Sequence, residues 1–99
     1  MKKLIGICCL TLAGLSLQLH AADAVLGKQK SATCTACHGK EGISSNPTWP
    51  NLAGQHAPYL VLQLKAFKEG SRKNATMNAI VQTLTNEDMH NIAAYFESL

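Results

Sequence analysis

Charge is scarce in this sequence, with Asp, Glu, Lys and Arg making up 15% of 99 residues where soluble domains average about 25%. Aromatic residues are scarcer still at 5%, while hydrophobic residues of all kinds reach 46%. That balance excludes intrinsic disorder, which goes with charge-rich, apolar-poor chains. No apolar run is long enough for a spanning helix. The longest, Leu4 to Leu19, holds sixteen residues broken by Thr11, Ser16 and Gln18, short of the roughly 20 needed. Strand signals are missing too: there is no alternating β-branched run and no Asn-Gly hairpin, nor any internal repeat. Room for a second domain is also lacking, which excludes a dinucleotide-binding unit joined to a substrate domain, and any barrel enzyme.

What is present at the start is Lys2 and Lys3, then the apolar run, then small residues at Ala21, Ala22 and Ala24. This order has the form of a secretory signal peptide, so residues 1–21 are expected to be removed, with cleavage between 21 and 24. Past residue 21 the chain carries seven basic and six acidic residues, a balance of +1 that gives no footing for a nucleic-acid or polybasic membrane surface. Removal also changes the cysteine count. Cys8 and Cys9 leave, and the single pair Cys34 and Cys37 remains, so a disulfide scaffold is excluded. A chain of 75 to 78 residues buries a modest core, and domains below roughly 80 residues usually need a metal, a cofactor or cross-links.

Proline and glycine divide the mature part into helical stretches, and it reads as all-α. A weakly periodic first helix is expected from about Asp23 to Cys34. Residues 40–56, with Pro47, Pro50, Gly42 and Gly54, read as a long wrapping loop. Pro58 suits the first turn of a second helix that runs to Glu69 and stops at Gly70. Its apolar positions, Leu60, Leu64 and Phe67 with Tyr59, Leu62 and Ala66, predict burial on two sides. A short helical pattern follows at Met77, Ile80, Val81 and Leu84. The last helix has a marked start, Thr85 with Asp88 three residues on, and an inner stripe of Met89, Ile92, Ala93 and Phe96.

The chemistry is concentrated in Cys34-Thr35-Ala36-Cys37-His38, a Cys-x-x-Cys-His sequence of the kind that attaches c-type haem. On a turn-like backbone two thiols three positions apart can reach the two vinyl groups on one porphyrin edge and form thioethers. His38, next along, is then carried beneath the iron. Two other readings compete. A thioredoxin-like redox pair needs a βαβ surround that the chain lacks; a structural zinc would need His56 or His90 as a fourth ligand to three crowded ones. For a sixth iron ligand the candidates are Met77, Met89, His56 and His90. Met89 lies in the core stripe of the last helix, and the two histidines are flanked by polar or turn residues. Met77 also opens an apolar pattern, but the polar stretch from Gly70 to Thr76 can carry it across a haem face.

Further residues give the chain a family likeness. It resembles the small class I c-type cytochromes, especially bacterial single-haem cytochromes of the c-553 type and either half of tandem di-haem cytochromes. The resemblance rests on Gly27, Cys34 to Gly39, Pro50-Asn51-Leu52-Ala53-Gly54-Gln55, Tyr59-Leu60 with Gln63-Leu64 and Phe67, Gly70 with Arg72, Met77, and Ile92-Ala93-Ala94-Tyr95-Phe96. It implies a class I fold, three main helices plus a short one around a single haem c, in a domain spanning residues 22–99. By this likeness Cys34 and Cys37 bind the haem covalently, and His38 and Met77 ligate the iron. The Pro50 carbonyl accepts from the His38 ring, Leu52, Tyr59 and Leu64 line the pocket, and Trp49 packs at the haem rim. Gly27 lets the first helix cross the last one against Tyr95 or Phe96.

The activity this implies is one-electron transfer in the periplasm, with transient redox proteins as partners, no nucleic acid and no stable membrane insertion after cleavage. An alternative is a cytochrome subunit held permanently by a periplasmic dehydrogenase. A third is an open-site haem protein acting on peroxide or small gases.

Overall fold

A computed structural model of the chain describes residues 1–9, 13–14 and 21–99. The expected leader falls partly outside these residues, and its described parts, residues 1–9, 13–14 and 21, form no regular element. Five α-helices follow: α1 (Ala24–Lys30), α2 (Ala32–His38), α3 (Ala57–Glu69), α4 (Ala75–Ile80) and α5 (Asn86–Glu97), with a single 3₁₀ turn at Val81–Thr83 between the last two. Among the described residues there is no strand, and no helix is long and apolar enough to cross a membrane.

The continuous first helix expected to Cys34 is instead two helices, because Ser31 interrupts it. The Ser31 hydroxyl donates to the Lys28 carbonyl at 2.8 Å, and its backbone N–H reaches both Gly27 and Lys28 carbonyls. A serine offering a local alternative to the helical ladder in this way ends α1. The side chain is fully buried, so the break is set by packing as well. The chain re-enters helix at once, and the Cys-x-x-Cys-His segment lies on α2 rather than on a turn. Gly39 terminates α2 at φ 90°, where L side chains are strained, and a Cβ there would collide with the Ile43 carbonyl.

Helices α1 and α3 both pack on α5. At α1 the approach is backbone to backbone. A Cβ on Gly27 would lie 1.9 Å from the Asn91 carbonyl oxygen and 2.9 Å from the Ile92 nitrogen. The close neighbours are therefore Asn91 and Ile92, one turn before the expected Tyr95 and Phe96. Asn91, 5% exposed, fixes the same crossing by accepting from the Asp23 N–H at 2.7 Å. Asp23 in turn caps α1 through the Val25 and Leu26 N–H groups.

The start of α5 is the expected one. Thr85 and Asp88 form a reciprocal capping box, and Asp88 also faces Lys30 of α1 at 3.7 Å. The hydrogen bond from the Thr85 backbone holds the Asp88 carboxyl below its ordinary value, with smaller help from the Thr85 hydroxyl and Lys30 against a small burial cost. The far end of α5 is tied down by Gly54, whose N–H donates to the Phe96 carbonyl at 2.8 Å, and by Glu97, whose carboxylate accepts from the Ala57 N–H. A carboxylate is unfavourable at the C-terminus of its own helix but favourable at the N-terminus of α3, where His56 supplies no side-chain cap.

The inner stripe of α5, Met89, Ile92, Ala93 and Phe96, is buried as expected, together with Tyr95. On α3 the expectation was too broad. Leu60, Val61 and Phe67 are buried, but Leu62 of the second row is 61% exposed, while Tyr59 of that row borders the cavity described below.

Two tests follow from these contacts. Gly27→Ala should destabilise the haem-loaded protein by about 3 kcal/mol, because backbone atoms of α5 cannot step aside; denaturant unfolding measures it. Asp88→Asn removes a carboxylate whose folded pKa is depressed, so the parent's advantage over it, about 1 kcal/mol for a cap, is present above the unfolded-state pKa. That advantage should fade as pH falls through the lower folded value, read from paired unfolding curves between neutral pH and about pH 3.

Candidate cofactor site

Because α2 is helical, Cys34 and Cys37 at i and i+3 and His38 at i+4 project from one face. Both thiols are free and half-buried. Burial pushes the Cys34 thiol up from its ordinary value, a hydrogen bond with Thr33 offsetting part of the effect. His38 is buried, and its Nδ1 lies 2.7 Å from the Pro50 carbonyl oxygen. A carbonyl can only accept, so Nδ1 carries the proton and Nε2 keeps its lone pair. Among the described residues Nε2 has no hydrogen-bond partner.

The loop from residue 40 to 56 brings Pro50 to this position by its own bonds. The Gly42 carbonyl accepts from the Leu52 and Ala53 N–H groups at 2.8 and 3.1 Å. The Asn51 side-chain oxygen accepts from the Ser44 N–H at 2.7 Å. Asn51 thus anchors the residue after Pro50, a role its place in a polar loop does not announce.

These residues open onto a cavity of about 390 Å³, within the range of small-molecule and cofactor sites. All nine residues singled out from the sequence line it: Cys34, Cys37, His38, Trp49, Pro50, Leu52, Tyr59, Leu64 and Met77. Leu60, Phe67, Ile92 and Phe96 complete apolar walls contributed by α3 and α5. Met89 is 2% exposed within the core, and neither it nor His56 or His90, both exposed, borders the cavity. Among the described residues no group of three or more His, Cys, Asp or Glu side chains surrounds one point, which leaves the zinc reading without a ligand set.

Several lining residues carry signals too faint to have been assigned a role from the sequence. Among the described residues Arg72 is the only Arg, Lys, Asp or Glu lining the cavity. Its guanidinium sits 4.5 Å from the Phe67 ring centre and donates to Gln63 Oε1 at 2.7 Å. Asn74 caps α4 by accepting from the Met77 N–H at 2.9 Å. A second groove, about 400 Å³ between α1 and α5 beside Lys30 and Asp88, contains none of the motif residues.

The donor set suits a haem of the c type. It offers two thiols on one helical face, an oriented imidazole, apolar walls for a flat macrocycle, a thioether and a cation.

Residues 24–99 match the family model described as Cytochrome c. The chain belongs to the cytochrome c family. It is 42% identical over 98 residues to cytochrome c4 of Pseudomonas aeruginosa, covering 99% of this chain and 49% of that protein. It is 46% identical over 81 residues to cytochrome c-554(548) of Halomonas halodenitrificans, covering 79% of this chain and 98% of the relative. The solved cytochrome c4 of Acidithiobacillus ferrooxidans superposes with a TM-score of 0.75 at 35% identity, over 85% of this chain and 54% of that one. The chain therefore spans about half the length of the cytochrome c4 proteins it matches, and resembles one half of a tandem cytochrome. The cofactor of this cytochrome c is haem c.

Proposed function

We propose that this cytochrome c is an exported single-haem carrier that moves one electron at a time between protein partners. Cys34 and Cys37 hold the haem covalently, His38 ligates the iron on one side and Met77 on the other. The observation that carries this reading is the convergence on one cavity of the α2 face, the His38–Pro50 hydrogen bond and Met77.

The haem, when bound, supplies an iron that cycles between ferric and ferrous states. The chain's own residues decide how readily. The Nδ1–H bond to Pro50 fixes the His38 ring and raises the basicity of Nε2. The Met77 thioether and water-poor walls from Leu64, Ile92 and Phe96 favour the ferrous state, which places the potential high among c-type haems. Two ligands held by short, capped helices need little rearrangement between oxidation states. Trp49 and Tyr59, 44% and 48% exposed, stand at the mouth of the cavity, where a partner docking over a small interface would approach. Export follows from the leader-like residues 1–21, and places the carrier in the periplasm.

A second reading makes the chain a subunit held permanently by a dehydrogenase. The exposed Trp49 and Tyr59 favour it, since apolar side chains at a cavity mouth are what a lasting interface covers. Co-elution with a larger chain at all salt concentrations would establish it in place of the free carrier.

Mass spectrometry of the exported protein should show one haem added to a chain starting between residues 22 and 25, and Cys34→Ala with Cys37→Ala should abolish the adduct. Met77→Ala should remove the sulfur-to-iron band at the red end of the oxidised spectrum, lower the potential and let the reduced protein bind carbon monoxide. Persistence of that band in Met77→Ala would overturn the distal assignment.

A further inference from the structure

The segment that carries Met77 to the cavity has little structure of its own. Between the end of α3 at Glu69 and the start of α4 at Ala75 no helix forms, and Ser71, Arg72, Lys73 and Asn74 are all exposed. Such a strap is entropically free to swing unless something fastens it. At its α3 end the Ser71 hydroxyl and Arg72 N–H share the Ala66 carbonyl at 3.3 and 3.1 Å, and the exposed Arg72 side chain donates to Gln63 Oε1 at 2.7 Å across the Phe67 ring.

The stronger fastening comes from the residue after Met77. Asn78 Nδ2 donates to the Phe67 carbonyl at 2.7 Å and to the Arg72 carbonyl at 2.9 Å. Asn78 Oδ1 accepts from the Asn74 N–H at 2.8 Å, while the Asn78 backbone N–H donates to the Asn74 carbonyl at 2.8 Å. One side chain thus joins the last turn of α3, the middle of the strap and the cap of α4. The pattern of two carbonyls at one end and one N–H at the other fixes the orientation of the amide and uses both of its donors. Asn74, gripped in this way, holds the Met77 N–H. No aspartate or aliphatic side chain of similar size can make this set of bonds.

We propose that Asn78 is the positioning residue that closes the strap and keeps the Met77 thioether at its post, so that an external ligand can enter only by breaking this clamp. The inference rests on Met77 being the distal ligand. It predicts that breaking the clamp opens access to the iron before the helices are lost.

The test uses the oxidised haem-loaded protein with imidazole as the competing ligand. Asn78→Asp keeps the shape but sets oxygen against two carbonyl oxygens, and Asn78→Ala removes all three side-chain bonds. Each should bind imidazole about tenfold more tightly than the parent, since losing bonds of ordinary strength raises the fraction of open strap by that order. On warming, each should lose the sulfur-to-iron band well before far-ultraviolet helicity, whereas in the parent the two disappear together. Asn78→Ser, which can still donate to one carbonyl, should bind with intermediate affinity and serves if the alanine variant does not fold. Imidazole affinity within about twofold of the parent in the Asp and Ser variants, with band and helicity still lost together, would overturn the clamp while leaving the ligand assignment standing. A parent protein with no such band would overturn the ligand assignment and the clamp with it.

Discussion

The hydrogen bond between His38 Nδ1 and the Pro50 carbonyl is the contact on which the rest of the site depends. It joins the only helix that carries the thiols to a loop that otherwise has no regular structure, and it settles which ring nitrogen is free. Its length of 2.7 Å is maintained from both sides. Gly39 ends α2 directly after His38, so the ring sits at a terminated helix end rather than in a continuing one. The Gly42 and Asn51 bonds hold the loop in the conformation that presents the carbonyl. Loosening either side would leave the imidazole able to rotate, and a rotating imidazole is a poor ligand.

The α1–α5 crossing does the equivalent work for the scaffold. A small domain gains most from bringing helices as near as their backbones allow, and Gly27 permits that approach against Asn91 and Ile92. Asn91 converts a possible liability, a buried amide, into a bond with the N-cap residue of α1. Ser31 then ends α1 so that α2 can take a different direction. Without this break the two cysteines would lie on the continuation of a helix whose inner face is already committed to α5. The break thus separates the part of the chain that packs from the part that binds.

Much of this was legible beforehand, and what was not has physical causes. The punctuation by Pro58 and Gly70, the Thr85–Asp88 cap and the stripe from Met89 to Phe96 are local signals, and local signals survive folding. The nine residues named from the sequence border one cavity, and they were named because the Cys-x-x-Cys-His sequence and its companions occur in a specific order. The break at Ser31 was not: a serine is unremarkable in a polar stretch, and its effect depends on a carbonyl three residues back and on being buried. The partner of Gly27 was misplaced by one turn, since sequence identifies a small residue but not the register of the helix that crosses it. Leu62 misled in another way. Periodicity cannot tell an apolar position that is covered from one left open, and Leu62 is the open one. Asn51, Asn74 and Asn78 were invisible because an asparagine reveals its use only through partners set by tertiary structure.

The two sides of the cavity are therefore built on different principles. On the His38 side the proposed ligand follows directly from a helix whose face also carries the two cysteines proposed to attach the haem, so its position is set by helical geometry. On the Met77 side the ligand comes after a strap of exposed residues and belongs to a helix of six residues, too short to be stable alone. Its position must be supplied by side-chain bonds, and the densest group of them centres on Asn78. A carrier needs both ligands held in either oxidation state, but only the His38 side is secured by construction. The Met77 side is where small sequence changes would tune exposure of the iron and the potential without disturbing the fold, since the bonds that hold it lie outside the contacts of α1 and α3 with α5.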